Sequence, residues 1–125
     1  MTGKQVMVLD DEALVGERLM PVLEKEGLEV EVFTESQKAL DRLKEKSFHV
    51  VVTDLKMKGA DGLDVLNFVK THSPGTQVIL ITAYGSFEQA REAEAIGVFE
   101  FVSKPFKMSA LCKLVVKAAK KAALA

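Results

Sequence analysis

Val50-Val51-Val52-Thr53-Asp54 runs four β-branched residues together and then places a carboxylate. A strand with one wet face would alternate apolar and polar residues. This stretch does not alternate, so both of its faces should be covered, as in the interior of a parallel sheet. Val6-Met7-Val8-Leu9, Val78-Ile79-Leu80-Ile81 and Val98 to Val102 read the same way. Leu28 to Phe33 instead alternates apolar and acidic residues, as a strand near a sheet edge would.

Helical patterns lie between these runs. Leu14, Val15, Leu19, Val22 and Leu23 recur at helical spacing, and Gly27 supplies a stop. Pro21 falls inside that pattern and predicts a kink. Thr34-Glu35-Ser36-Gln37 and Ser86-Phe87-Glu88-Gln89 read as capping boxes opening the second and fourth helices, the fourth ending near Gly97. Asp61 is placed to cap a third helix carrying Leu63, Leu66 and Val69. The last helix carries Leu111, Leu114, Val115 and Ala118. Its late lysines, Lys117, Lys120 and Lys121, suit the negative end of the helix dipole. Five strands alternating with five helices predict a three-layer α/β sandwich with right-handed crossovers.

The 125 residues fit one domain, 48% hydrophobic and 28% charged, with a net charge of -1. That balance argues against a free-standing nucleic-acid binder, and no direct nucleic-acid contact is expected. The one cysteine, Cys112, excludes an internal disulfide and suits a reducing cytoplasm. It reads as a buried small hydrophobe. No apolar run approaches the ~20 residues that span a bilayer, and the N-terminus lacks a signal-peptide pattern. A cytoplasmic location without membrane contact is expected.

Ligands of open parallel sheets gather at the carboxyl ends of the strands. Asp10, Asp11 and Glu12 follow the first run and Asp54 ends the third. Thr82 follows the fourth, and Ser103, Lys104 and Pro105 follow the fifth. Each alone has an ordinary reading: a helix-capping Asp, a turn Asp, a strand-end Thr, a solvated Lys. Together they bring carboxylates, a hydroxyl and a lysine to one sheet edge from distant parts of the chain. Clustered carboxylates repel unless a cation sits among them, and an all-oxygen set selects a hard ion such as Mg2+. Asp54 could then act as a nucleophile toward a phosphoryl group whose charge the metal, Lys104 and Thr82 neutralise. Proline after Lys104 biases the lysine backbone to extended angles, aiming its side chain across the site, and permits a cis bond. His49, at a strand start, and His72, at a helix end, read as structural.

The segments Val8-Leu9-Asp10-Asp11-Glu12, Val52-Thr53-Asp54-Leu55-Lys56-Met57 with Asp61-Gly62-Leu63, Ile81-Thr82-Ala83-Tyr84-Gly85 and Phe101-Val102-Ser103-Lys104-Pro105-Phe106 resemble the receiver domains of two-component response regulators. The resemblance covers essentially all of residues 1–125, read as a single receiver domain with any output domain outside the chain. It implies a flavodoxin-like (βα)5 fold with strand order 2-1-3-4-5. It makes Asp54 the phospho-acceptor and Asp10, Asp11, Asp54 and the Lys56 carbonyl the Mg2+ ligands. Lys104 contacts the phosphoryl group, Thr82 is the switch hydroxyl and Phe101 the aromatic that turns inward with it. The implied donor is the phosphohistidine of a sensor histidine kinase, or a small acyl phosphate. The implied output is a changed face built by the fourth helix, fifth strand and fifth helix, commonly read as receiver dimerisation. The domain would catalyse nothing beyond its own phosphorylation and dephosphorylation.

The Thr82-Ala83-Tyr84-Gly85-Ser86 stretch is similar to receivers of nitrogen-regulation-type, sigma-54-dependent activators. Lys58 stands where the family usually has a proline that stiffens the metal-binding loop, which bears on loop order and dephosphorylation. Lys56 and Tyr84 flank the site, where they could gate attacking water. Ala90, Ala93, Ile96, Phe99, Leu111 and Val115 read mostly as core with a minority exposed at an interface, and Val98 and Phe99 form a local apolar excess suited to an interface. Three rivals are weaker. A haloacid-dehalogenase-like phosphatase would want Asp-x-Asp after the first strand and a cap domain. A flavodoxin-type electron carrier would want a Ser/Thr/Gly-rich phosphate loop where Asp10-Asp11-Glu12 stands. A degenerate receiver would bind partners without accepting phosphate.

Overall fold

The five apolar runs become five parallel strands in a computed structural model that describes residues 3–83 and 87–124. In chain order the elements are β1 (Gln5–Leu9), α1 (Ala13–Glu24), β2 (Glu29–Phe33), α2 (Ser36–Glu45), β3 (Val50–Asp54), α3 (Gly62–His72), β4 (Gln77–Thr82), α4 (Phe87–Ile96), β5 (Glu100–Ser103) and α5 (Met108–Lys121). The sheet order is β2-β1-β3-β4-β5, as the resemblance implies.

Side chains alternate across this sheet between two apolar layers. Val6, Val8, Val50, Val52, Ile79 and Ile81 pack with Leu19 and Leu23 of α1 and Leu111 and Val115 of α5. Met7, Leu9, Val51, Val78 and Leu80 pack with Ala39 of α2, Val65, Leu66 and Val69 of α3, and Ala93 of α4. Each central strand is therefore buried on both faces, which is why its sequence does not alternate. β2 lies at an edge, and its Glu29 is exposed while Val30 is buried.

Several local expectations change. Leu14 is 51% exposed: it lies at the open start of α1, outside the stripe formed by Gly16, Leu19 and Leu23. At Gly16 an added methyl carbon would lie 2.3 Å from Val32 Cγ1, so glycine lets α1 approach β2. α1 continues through Pro21 to Glu24. Pro21 and Glu17 are both exposed, so the proline that leaves the Glu17 carbonyl without its helical donor lies on the outer side of α1. The Thr34 capping box does not form. α2 begins later, with Glu35 at the N-cap and no side-chain cap bond, while the Ser36 hydroxyl is engaged elsewhere. Asp61 caps α3 as expected, and Asp64 completes a reciprocal box. β5 starts at Glu100, two residues after the apolar run begins. The Ser86 box and Tyr84 lie outside the described residues.

Both histidines are structural. His49 Nδ1 accepts the Gln5 amide at 2.9 Å, and His72 stacks on Phe68 with ring centroids 4.1 Å apart. Among the described residues, no helix is long and apolar enough to cross a membrane.

Candidate functional site

Three loops converge at the carboxyl edge of the sheet because backbone bonds tie each to a neighbouring strand. Asp10 N donates to Phe33 O at 3.1 Å, Leu55 N to Ile81 O at 2.7 Å and Lys104 N to Thr82 O at 2.8 Å. These ties bring Asp10, Asp54, Thr82 and Lys104 together from four strand ends. Asp11, Glu12, Asp54, Lys56, Thr82, Ala83 and Lys104 line a cleft of about 160 Å3. A larger groove of about 650 Å3 runs along α5 past Ala110, Cys112, Leu114 and Val116, with Glu26, Lys113 and Lys117 also lining it, but it holds none of the clustered carboxylates. Chemistry concentrates in the smaller cleft.

Asp10 is buried, 3% exposed. Its Oδ1 accepts the Glu12 amide at 2.8 Å and its Oδ2 lies 3.4 Å from Lys104 Nζ. Asp54 is 8% exposed. Its Oδ1 accepts the Lys56 amide at 3.1 Å and its Oδ2 takes Lys104 Nζ at 3.0 Å. Burial pushes the Asp10 carboxyl above its ordinary range and the Asp54 charge adds to the push. The Glu12 amide and Lys104 oppose it. For Lys104, burial alone would lower the ammonium pKa. Hydrogen bonding to Asp54 and the charges of Asp10 and Asp54 outweigh it and raise the value. The Lys104-Pro105 bond is cis.

Asp10, Asp11 and Asp54 each offer a carboxylate oxygen, and these oxygens lie within 4.8 Å of one another. Asp11 is exposed while the other two are buried. An oxygen-only trio facing one lysine is unbalanced in charge and fits a hard divalent cation. The Lys56 side chain is exposed, and its residue opens the β3–α3 loop beside Asp54. Thr82 is buried, 1% exposed. Phe101 is half-buried, pairs in register with Leu80 and packs on the α3–α4 side of the sheet.

Two residues matter here that the sequence reading left without a role. Gly62 opens α3 so close to β3 that an added methyl carbon would lie 2.6 Å from Asp54 O and 2.8 Å from Leu55 Cα. Its amide donates to Leu55 O at 2.8 Å. A glycine directly after a capping Asp was the available signal, since glycine disfavours helix unless space demands it. Ser36, from α2, donates to Lys58 O at 3.1 Å. No local pattern joins residues 22 positions apart.

A family model described as the response regulator receiver domain matches residues 6–116. The chain belongs to this family. It is a signalling domain of the phosphorylation-dependent switches of two-component systems. It is similar to the transcriptional regulatory protein FixJ of Bradyrhizobium diazoefficiens, at 32% identity over 98% of this chain and 60% of FixJ. The response regulator protein FleR of Pseudomonas aeruginosa is 36% identical over 94% of this chain and 24% of FleR. A putative NtrX-like response regulator of Rickettsia conorii is 32% identical over 94% of this chain and 25% of that protein. The chain thus spans about a quarter to three fifths of the length of these curated relatives. The solution structure of a beryllofluoride-activated NtrC4 receiver domain dimer matches at 33% identity and a TM-score of 0.86, over 94% of this chain and 97% of that one. A CheY-like receiver domain from Methanospirillum hungatei shares the fold at a TM-score of 0.90 and 22% identity, over 96% of each chain.

Proposed function

We propose that residues 1–125 form one receiver unit in which Asp54 accepts a phosphoryl group, from the phosphohistidine of a sensor histidine kinase or from a small acyl phosphate. An Asp54 carboxylate oxygen forms the new bond to phosphorus as the bond to the donor's leaving nitrogen or oxygen breaks. The leaving group keeps that electron pair. Asp10, Asp11, Asp54 and the Lys56 carbonyl hold Mg2+, which when bound neutralises charge on the transferring phosphoryl oxygens. Lys104 supplies a second positive charge to the same oxygens. Thr82 donates its hydroxyl to the new phosphoryl group, and Phe101 turns inward beside Leu80. The packing of α4, β5 and α5 then shifts between two states. Autodephosphorylation returns the domain to its resting state.

The observation that carries this reading is the Lys104 ammonium held against Asp54 at 3.0 Å beside three clustered carboxylates. A homodimer through the α4–β5–α5 face is the proposed output, supported by the dimeric state of the activated NtrC4 receiver. Buried Ala93, Leu111 and Val115 belong to the core, which leaves half-buried Ala90, Ile96 and Phe99 and exposed Phe87 for that face. Lys56 stands where it would limit water access to the phosphoryl group.

Intact-protein mass spectrometry after incubation with acetyl phosphate and Mg2+ tests the reading. One phosphoryl adduct is expected, absent in Asp54→Asn and absent without metal. An adduct that survives Asp54→Asn would overturn the choice of nucleophile. No adduct from either acetyl phosphate or a panel of phosphorylated histidine kinases would make the domain a partner-binding module.

A further inference from the structure

The loop from Leu55 to Asp61 must hold still for Lys56 to present its carbonyl to a cation. Its two ends are fixed. Leu55 bonds β4 and Gly62 at one end, and the Asp61–Asp64 box closes the other. The middle has Lys58, whose φ is free where a proline's would be locked, followed by Gly59 at φ +77. Two freely rotating residues in the middle of a loop favour disorder.

Ser36 counters this from a different element. It is the first residue of α2 and only 5% exposed, and its Oγ donates to Lys58 O at 3.1 Å. A methyl carbon added at Gly59 would lie 3.4 Å from the same Oγ, so the hydroxyl sits directly against the bend. α2 is itself anchored. Arg42 and Lys46 bond Glu31 of β2 at 2.8 Å each, so Ser36 projects from a braced helix.

We propose that Ser36 is a positioning residue for the cation site. Its hydroxyl latches the β3–α3 loop and supplies the order that proline would otherwise give at position 58. This rests on the metal-binding reading above. The latch acts through Lys58 O on the placement of Lys56 and touches neither the cation nor the phosphoryl group.

The test compares wild type, Ser36→Ala and the double variant Ser36→Ala/Lys58→Pro. Calorimetric Mg2+ titration is read beside amide hydrogen exchange. Ser36→Ala should weaken Mg2+ binding about fivefold, the loss expected for one neutral hydrogen bond. It should speed exchange at residues 57–60 while residues 39–45 of α2 keep their protection. Adding Lys58→Pro should restore the affinity. Wild-type affinity and exchange in Ser36→Ala would overturn the latch. So would faster exchange throughout α2 without rescue by Lys58→Pro, because the serine would then only stabilise its helix. A wild-type chain that binds no Mg2+ would sink the metal reading, and loop exchange would still report whether the latch exists.

Discussion

Lys104 Nζ lies 3.0 Å from Asp54 Oδ2 and 3.4 Å from Asp10 Oδ2, so one ammonium joins the ends of β1, β3 and β5. The three residues are separated by up to 94 positions in the chain. The lysine side chain is 19% exposed and the carboxylates less, so the contact is poorly screened by solvent.

Removing that ammonium leaves two close carboxylates without their counter-charge. Lys104→Met keeps most of the aliphatic stem and should destabilise the metal-free domain by about 2 kcal/mol. Millimolar Mg2+ should recover most of the loss, because a divalent ion replaces the missing charge. Thermal melts with and without Mg2+ check this. A loss that Mg2+ leaves unchanged would mean that the lysine acts through packing alone. Phosphoryl transfer from acetyl phosphate should still fall about 100-fold, since the metal cannot occupy the lysine's place on the phosphoryl oxygens.

Asp10 behaves in the opposite sense. Its carboxyl is held above the ordinary range by burial and by Asp54. A carboxyl whose folded pKa exceeds its unfolded value disfavours folding at any pH where it is charged in both states. Asp10→Asn should therefore raise the melting temperature of the metal-free domain near neutral pH by a few degrees, as its side-chain oxygen can still accept the Glu12 amide. The gain should vanish as pH falls below the unfolded carboxyl value, where Asp10 is protonated in either state. The same variant should bind Mg2+ more weakly. Higher stability with lower affinity would mark Asp10 as a residue retained for function.

The strands were legible because a parallel sheet buried on both faces imposes unbroken apolar runs, as at residues 50–54, whereas their order was legible only through the resemblance to receiver domains. The site was legible for a related reason. Strands end where polarity returns: Asp10 directly follows β1, Asp54 is the last residue of β3 and Thr82 the last of β4, and all three are candidate-site residues. Features governed by distant backbone were not. Leu14 obeys the helical period yet lies outside, because the period marks a face without saying where that face stops being covered. Thr34 carries the letters of a cap, but α2 starts later, where Ser36 meets Lys58 O. Gly62 reads as a weak helix former until β3 is seen lying against it.

Gly62 gives a sharp steric prediction. The two nearest neighbours of an added methyl are Asp54 O and Leu55 Cα, backbone atoms that cannot rotate away, with Leu80 Cδ2 next at 2.9 Å. Gly62→Ala should cost about 1–3 kcal/mol, in the manner of overpacking. It should also push α3 off the end of β3 and so disturb Asp54. Chemical denaturation measures the first effect, and the yield of phosphoryl adduct at saturating acetyl phosphate measures the second. Gly75→Ala is the natural control for sterics alone. Its clash is with the Ala123 backbone, at the opposite end of the sheet from the site. It should lower stability and leave the adduct yield intact.

Glu31 makes the acid limit of the fold predictable. Arg42 donates to its two oxygens at 2.8 and 3.1 Å, and Lys46 adds a bond at 2.8 Å. Hydrogen bonding from Arg42 leads, desolvation opposes it, and Lys46 assists, holding the carboxyl at about 2 against an ordinary 4.5. Because the folded value is depressed, the contribution is fully present above pH 4.5 and is lost as pH falls from there toward about 2. Glu31→Gln should melt a few degrees below wild type at neutral pH, and the gap should close across that window as the wild-type carboxyl takes up its proton. Urea unfolding of both proteins at a series of pH values gives the difference curve directly. A gap that stays constant from neutral pH to pH 2 would assign the role of Glu31 to side-chain packing, with the ion pairs contributing nothing to stability.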